Sequence, residues 1–185
     1  MVKFSLYALL IVASSRQAIS SLPYAILSYM KTQDMTPDKI GWKPTPSELY
    51  EWLDKQILCT LSTIGDGGYP NGATVAFSQD ATLDFLLITD HKSRKAQNMR
   101  THNKVSLTIT NEDDRYTVQL EGRAEELTWD EFTRYETHHY EKLPYSLPFR
   151  DVPGQTPFRI TPVHIRFSDV SVHPWETTES YVSER

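Results

Sequence analysis

Three cations crowd the start of a short helix. In Ile88-Thr-Asp-His-Lys-Ser-Arg-Lys-Ala-Gln-Asn-Met-Arg100, Lys92, Arg94 and Lys95 surround Ser93, and the apolar run Leu83 to Thr89 leads into them. Ser93 reads as an N-cap, because its hydroxyl can accept a bond from an otherwise unpaired amide of the first turn. A helix N-terminus carries partial positive charge, so an exposed cation there costs about 0.3–1 kcal/mol unless something negative sits with it. A phosphate suits the place; a solvated basic turn is the plain alternative. His91, beside the cluster, could add a contact or simply face water.

Other residue groups carry less chemistry. His138 and His139 are adjacent, so on a helix they point about a hundred degrees apart and cannot chelate as an i, i+4 pair would. Gly65-Asp-Gly-Gly68 is a hairpin turn, since a phosphate-binding loop would run into Lys-Ser or Lys-Thr and a helix, whereas Tyr69-Pro70 follows. Cys59 is the only cysteine. It excludes an internal disulfide and any cysteine-rich metal site, and its apolar surroundings read as a packed thiol. No nucleophile-histidine-acid set stands out, so no catalytic residue and no metal ligand is assigned.

The chain of 185 residues has a formal charge of −5. That length suits one well-buried domain. The net negative charge argues against a nucleic-acid or anionic-membrane binder, which leaves the cations of 92–95 as a local feature suited to a small anion.

The elements that must position this cluster follow in order. Residues 1–44 read as an extension and linker: Met1-Val-Lys3 with Phe4 to Ala13 is signal-like but too short to span a bilayer, and Pro37 and Pro44 break a polar stretch. The expected location is cytoplasmic, with export as the alternative if residues 1 to about 20 are cleaved. Thr45-Pro46-Ser47-Glu48 is a capping box for a helix with Leu49, Trp52 and Leu53 on one face. Strands are expected at Ile57–Ile64, Ala73–Ser78, Leu83–Ile88, Val105–Ile109 and Tyr116–Leu120, and a sixth around Pro162, where the alternation changes phase between Phe158/Ile160 and Val163/Ile165/Phe167. Leu83–Ile88 is apolar on both faces, which calls for a second covering layer or subunit. Thr128-Trp-Asp-Glu131 caps another helix. Residues 45–175 thus form the expected domain, with 176–185 as a flexible tail.

The order of strand, Thr89, Ser93-Arg94-Lys95, helix and strand Val105–Ile109, with Tyr69–Phe77 before and Val118–Leu127 after, resembles the pyridoxamine 5′-phosphate oxidase-like FMN-binding split-barrel family. The resemblance implies a mainly β (α+β) fold, a six-stranded antiparallel split β-barrel with flanking helices. It gives the FMN phosphate to Arg94 and Lys95, with Thr89 and Ser93 as hydroxyl partners from the strand end and helix cap, and it counts Ile88 at that strand end among the cofactor-binding residues. Ala73, Thr74, Val75 and Ala76 match the strand whose backbone lines the flavin ring, and Thr117 falls where the family often has glutamine. It also implies a homodimer with the flavin between subunits, a small-molecule substrate and an electron donor such as NAD(P)H, with no nucleic acid and no stable membrane anchor. Two departures count against vitamin B6 oxidation: Ala73 and Ser78 stand where true pyridoxamine phosphate oxidases have Arg and Lys, and no Arg-Leu-His-Asp-Arg run follows Thr156. The implied activity is a flavin oxidoreductase; the alternative is a non-catalytic flavin- or haem-binding protein of storage, sensing or stress response.

Overall fold

The computed structural model describes residues 44–111, 115–169 and 176–181. The extension before residue 44 lies outside them. Helix α1 (Pro46–Asp54) opens on the expected capping box, with the Thr45 hydroxyl accepting from the Glu48 amide and the Glu48 carboxylate accepting from Thr45. Then come β1 (Leu58–Ile64), β2 (Pro70–Ala76), the two-residue β3 (Ser78–Gln79), β4 (Phe85–Asp90), α2 (Arg94–Thr101), β5 (Lys104–Asn111), β6 (Tyr116–Glu126), α3 (Trp129–Lys142), β7 (Gln155–Asp169) and β8 (Glu176–Tyr181).

All strand pairs are antiparallel, in the order β2-β1-β5-β6-β7-β4-β3, with β8 beside β7. The sheet curls until β2, at one end of this path, approaches β4 near the other, leaving a split between them. Among the described residues, seven strands on the path and an eighth off it replace the expected six. One addition arises because Phe77, fully buried and bonded through its amide to Ile57, interrupts the second strand and leaves β3 as a separate piece. The other is β8, which pairs in the stretch expected to be a free tail.

Strand β4 also starts later than expected, at Phe85. Asp80 gathers the amides of Thr82 and Asp84 on one carboxylate oxygen, and Leu83 takes a left-handed φ of 63°, so the chain turns before it extends. The two-faced apolarity then has its explanation: Phe85 and Leu87 enter the barrel core, whereas Leu86 packs with Leu127, Phe132 and Tyr135 beneath α3. The second layer is this chain's own helix.

The phase change near Pro162 is a bulge. Glu121 pairs with His164 and Gly122 with Pro162, so Val163 is the extra residue. Gly122 is required there, because a Cβ would stand 2.8 Å from Ile160 Cγ2 and 2.9 Å from the Thr161 carbonyl oxygen.

Two helices close opposite barrel ends. Trp52 of α1 packs edge-on against Tyr116 and Phe167, while Asn98 of α2 donates a buried 2.9 Å bond to Thr63 Oγ1 at the far end of β1. Helix α3 is lashed to α1 and β3 by Lys142, which donates to the Leu53 carbonyl at 3.0 Å and to Gln79 Oε1 at 2.6 Å. Burial pulls this lysine down to about 8. Cys59 is buried, and burial pushes its thiol up to about 12, which keeps it protonated and unreactive.

Candidate functional site

Strand β4 runs between β3 and β7 and delivers residues 89–93 to the barrel end that α2 covers. There the chain makes a tight turn, with the Ser93 amide donating to the Asp90 carbonyl at 3.0 Å and the Lys92 amide to Asp90 Oδ1 at 2.6 Å. Ser93 is the N-cap, as its sequence context requires: its hydroxyl accepts from the Ala96 amide at 3.3 Å and lies 3.3 Å from Thr89 Oγ1. The amides of Arg94 and Lys95 open the helix and have no acceptor within it.

The electrostatics of this turn are one-sided. Among the described residues Lys92, Arg94 and Lys95 form no ion pair, and the nearest carboxylate in sequence, Asp90, already holds the Lys92 amide. Three uncommitted cations beside a helix N-terminus, with two hydroxyls at its edge, are a donor set for a dianion such as a phosphate monoester. His91 is tied back. Its amide and Nδ1 both lie 2.8 Å from the Gly154 carbonyl oxygen, and since a carbonyl only accepts, Nδ1 carries a proton.

Around the turn stand three residues that sequence reasoning missed. Arg100, in the last turn of α2, donates from Nη1 to the His91 carbonyl at 2.6 Å and from Nε and Nη2 to the two carboxylate oxygens of Glu126, each at 2.5 Å. Thr156 Oγ1 donates to Glu126 Oε1 at 2.8 Å, and Thr156 is the register partner of Thr89. The hydrogen bonds from Arg100 hold the Glu126 carboxyl below its usual range. These partners are 26 and 30 residues apart in sequence, so no local motif announces them.

Of the residues assigned from sequence, Thr89, Ser93, Arg94 and Lys95 come together here. Ile88 is adjacent, but its side chain packs into the cluster beneath α3, so only its backbone is available. Ala73 to Ala76 lie on β2, which among the described residues pairs with β1 alone; its other edge faces the split beside β4. Val75 is buried in the core, Ala73 and Ala76 are half-buried and Thr74 is exposed. Thr117 does not join them. It pairs with Ser168 at one end of β7 while Thr89 pairs with Thr156 near the other. Twelve residues of β7 separate these register points, so Thr117 lies toward the opposite end of that strand.

Ser78, one of the two positions that depart from true pyridoxamine phosphate oxidases, is buried and 2.7 Å from Nδ1 of buried His139. It serves the α3 contact. His138 turns away to Asp54 Oδ1 at 3.1 Å, so the adjacent histidines diverge as expected. A separate cleft of about 480 Å3 opens between β1, β5 and β6, past Ser62, Lys104, Glu121 and Arg123, and includes none of the assigned residues.

Comparison with known proteins bears on the family and the fold. Residues 45–169 match the family model described as pyridoxamine 5′-phosphate oxidase. A pyridoxine/pyridoxamine 5′-phosphate oxidase of Burkholderia lata is 30% identical over 76 residues, which are 41% of this chain and 36% of that protein; the match spans little more than a third of the relative's length. Among solved structures, a heme binding protein from Mycobacterium smegmatis superposes with a TM-score of 0.63 at 16% identity, over 76% of this chain and 59% of that one. A Clostridium acetobutylicum protein related to general stress protein 26, of the pyridoxinephosphate oxidase family, gives 0.60 at 19% identity over 74% and 94%. A FAD-binding protein from Mesorhizobium loti gives 0.55 at 18% identity over 73% and 95%. These likenesses establish the split-barrel fold. No helix among the described residues is long and apolar enough to cross a membrane.

Proposed function

The chain belongs to the pyridoxamine 5′-phosphate oxidase family, and from that premise we propose that it binds FMN and serves as a flavin oxidoreductase acting on a small molecule other than a vitamin B6 phosphate. The observation that carries this reading is the set of three cations, unpaired among the described residues, at the capped start of α2. Arg94 would grip the phosphate through its planar fork and Lys95 as a point charge, with the Ser93 and Thr89 hydroxyls and the first helix amides completing the cradle. The edge of β2 at Ala73–Ala76, which faces the split and is unpaired among the described residues, would hydrogen-bond the ring. Bound flavin supplies hydride and electron transfer, while the protein orients it and shields it from water.

Vitamin B6 chemistry is disfavoured on this chain's own residues. A second phosphate would need cations where Ala73 stands in the core-facing row of β2 and where Ser78 is buried against His139. The family resemblance implies a flavin site between two subunits, and the placement of Thr117 toward the other end of β7 from Thr89 is compatible with its serving the site of a second copy.

The test is the visible spectrum of the purified protein. The reading expects flavin absorption that bleaches with NADH or NADPH and recovers in air. Flavin that never bleaches with any donor points to a carrier or sensor, and a Soret band points to haem; the heme-binding Mycobacterium smegmatis neighbour makes that arm worth including.

A further inference from the structure

We infer that Arg100, with Glu126 and Thr156, is the device that positions the phosphate seat; the inference rests on the FMN reading and assigns work to residues outside the proposed phosphate contacts. Arg100 sits where four parts of the fold meet. Its guanidinium lies 5.9 Å from the Phe158 ring centroid on β7, binds both Glu126 oxygens at the end of β6, and holds the His91 carbonyl in the turn ahead of its own helix.

The mechanical consequence is specific. The 91–92 peptide is planar, so its carbonyl and amide point in opposite directions. Arg100 fixes the carbonyl end at 2.6 Å and Asp90 Oδ1 fixes the amide end at 2.6 Å. With both ends held, Ser93 and the opening amides of α2 have one orientation. Release of the carbonyl end frees this peptide to rotate, and the amides, the Ser93 hydroxyl and the Arg94 and Lys95 side chains lose their convergence. Glu126 is what keeps Arg100 in place, and Thr156 holds Glu126 from the strand position opposite Thr89. The clamp therefore refers the helix start back to β4, the strand that delivers it.

A positioning role predicts a loss confined to the phosphate. In Arg100→Met the affinity for FMN should fall about tenfold, on the scale of one lost charge-assisted hydrogen bond, while riboflavin affinity and the cooperative thermal transition stay near wild type. Arg100→Lys, with one donor head in place of a fork, should recover part of the loss. Titration of FMN and riboflavin into wild type and both variants reads this directly. If Arg100→Met fails to fold, Thr156→Val, which removes a single bond from Glu126, should still lower the FMN-to-riboflavin affinity ratio. Wild type that discriminates the two flavins, alongside variants that discriminate equally well, overturns the clamp and leaves the FMN reading standing. Wild type that does not discriminate overturns the FMN reading and the clamp with it.

Discussion

At the residue scale the account turns on Ser93, Arg94 and Lys95, which were legible because their chemistry is local. A cap followed by cations is a contradiction within four residues, which a bound anion would resolve. Arg100, Glu126 and Thr156 were not legible, because the bonds joining them exist only once β6 and β7 pair beside α2. Gly154 belongs to the same class. In sequence it is one loop residue after Pro153, yet its φ of +88° and the 2.8 Å from a built Cβ to His91 Nδ1 make it part of the turn's support. Gly154→Ala should destabilise the protein by about 1–3 kcal/mol through backbone strain and should displace His91, which urea unfolding and the His91 imidazole NMR signals would register. An unchanged midpoint and unmoved signals would remove Gly154 from the site.

At the scale of elements, both capping boxes, the alternating strands β5 and β6, and the phase change at Pro162 could be read directly, since each rests on a period or a cap. The two-residue β3 and the late start of β4 could not: they depend on Phe77 turning into the core and on Asp80 collecting amides, both decided by packing. The bulge makes a sharp prediction. Gly122→Ala should cost about 1–3 kcal/mol through overpacking against Ile160 and Thr161, while Gly72→Ala, whose Cβ would meet Thr60 Cγ2 at an ordinary 3.7 Å, should cost little. Chemical denaturation of the two variants separates them.

Helix α3 carries a pH dependence. Burial first, then the nearby charges of His138 and Lys142, lower the His139 imidazole from 6.5 to about 4. Between those values the unfolded chain binds a proton that the folded one refuses, so stability is full above pH 6.5 and falls as pH drops toward 4, by roughly 3 kcal/mol over the window. The acidic loss should shrink in a His139→Phe, Ser78→Ala double variant, which replaces the titrating imidazole and its hydrogen-bond partner with apolar groups. Equal pH profiles for this variant and wild type would show that other groups set the acid limb.

For the whole molecule, the sequence suggested a dimer partly because Leu83–Ile88 needed cover on both faces, and α3 supplies that cover within the chain. If Thr117 contacts the flavin, as the resemblance implies, its separation from the Ser93–Lys95 turn along β7 requires a second subunit. Light scattering should give about twice the 21.3 kDa chain mass, and a stable monomer with full flavin occupancy would contradict the two-subunit site.

The central claim is that the start of α2 holds the phosphate of FMN, and calorimetric titration of FMN and of riboflavin into wild type and Lys95→Ala tests it most directly. Only FMN carries the phosphate, and one charge-assisted hydrogen bond contributes about 1.5–3 kcal/mol, so Lys95→Ala should weaken FMN by about tenfold to a hundredfold and leave riboflavin nearly unchanged. Equal losses for the two flavins would mean a general defect of the fold, and no loss for either would make 92–95 a solvated basic turn.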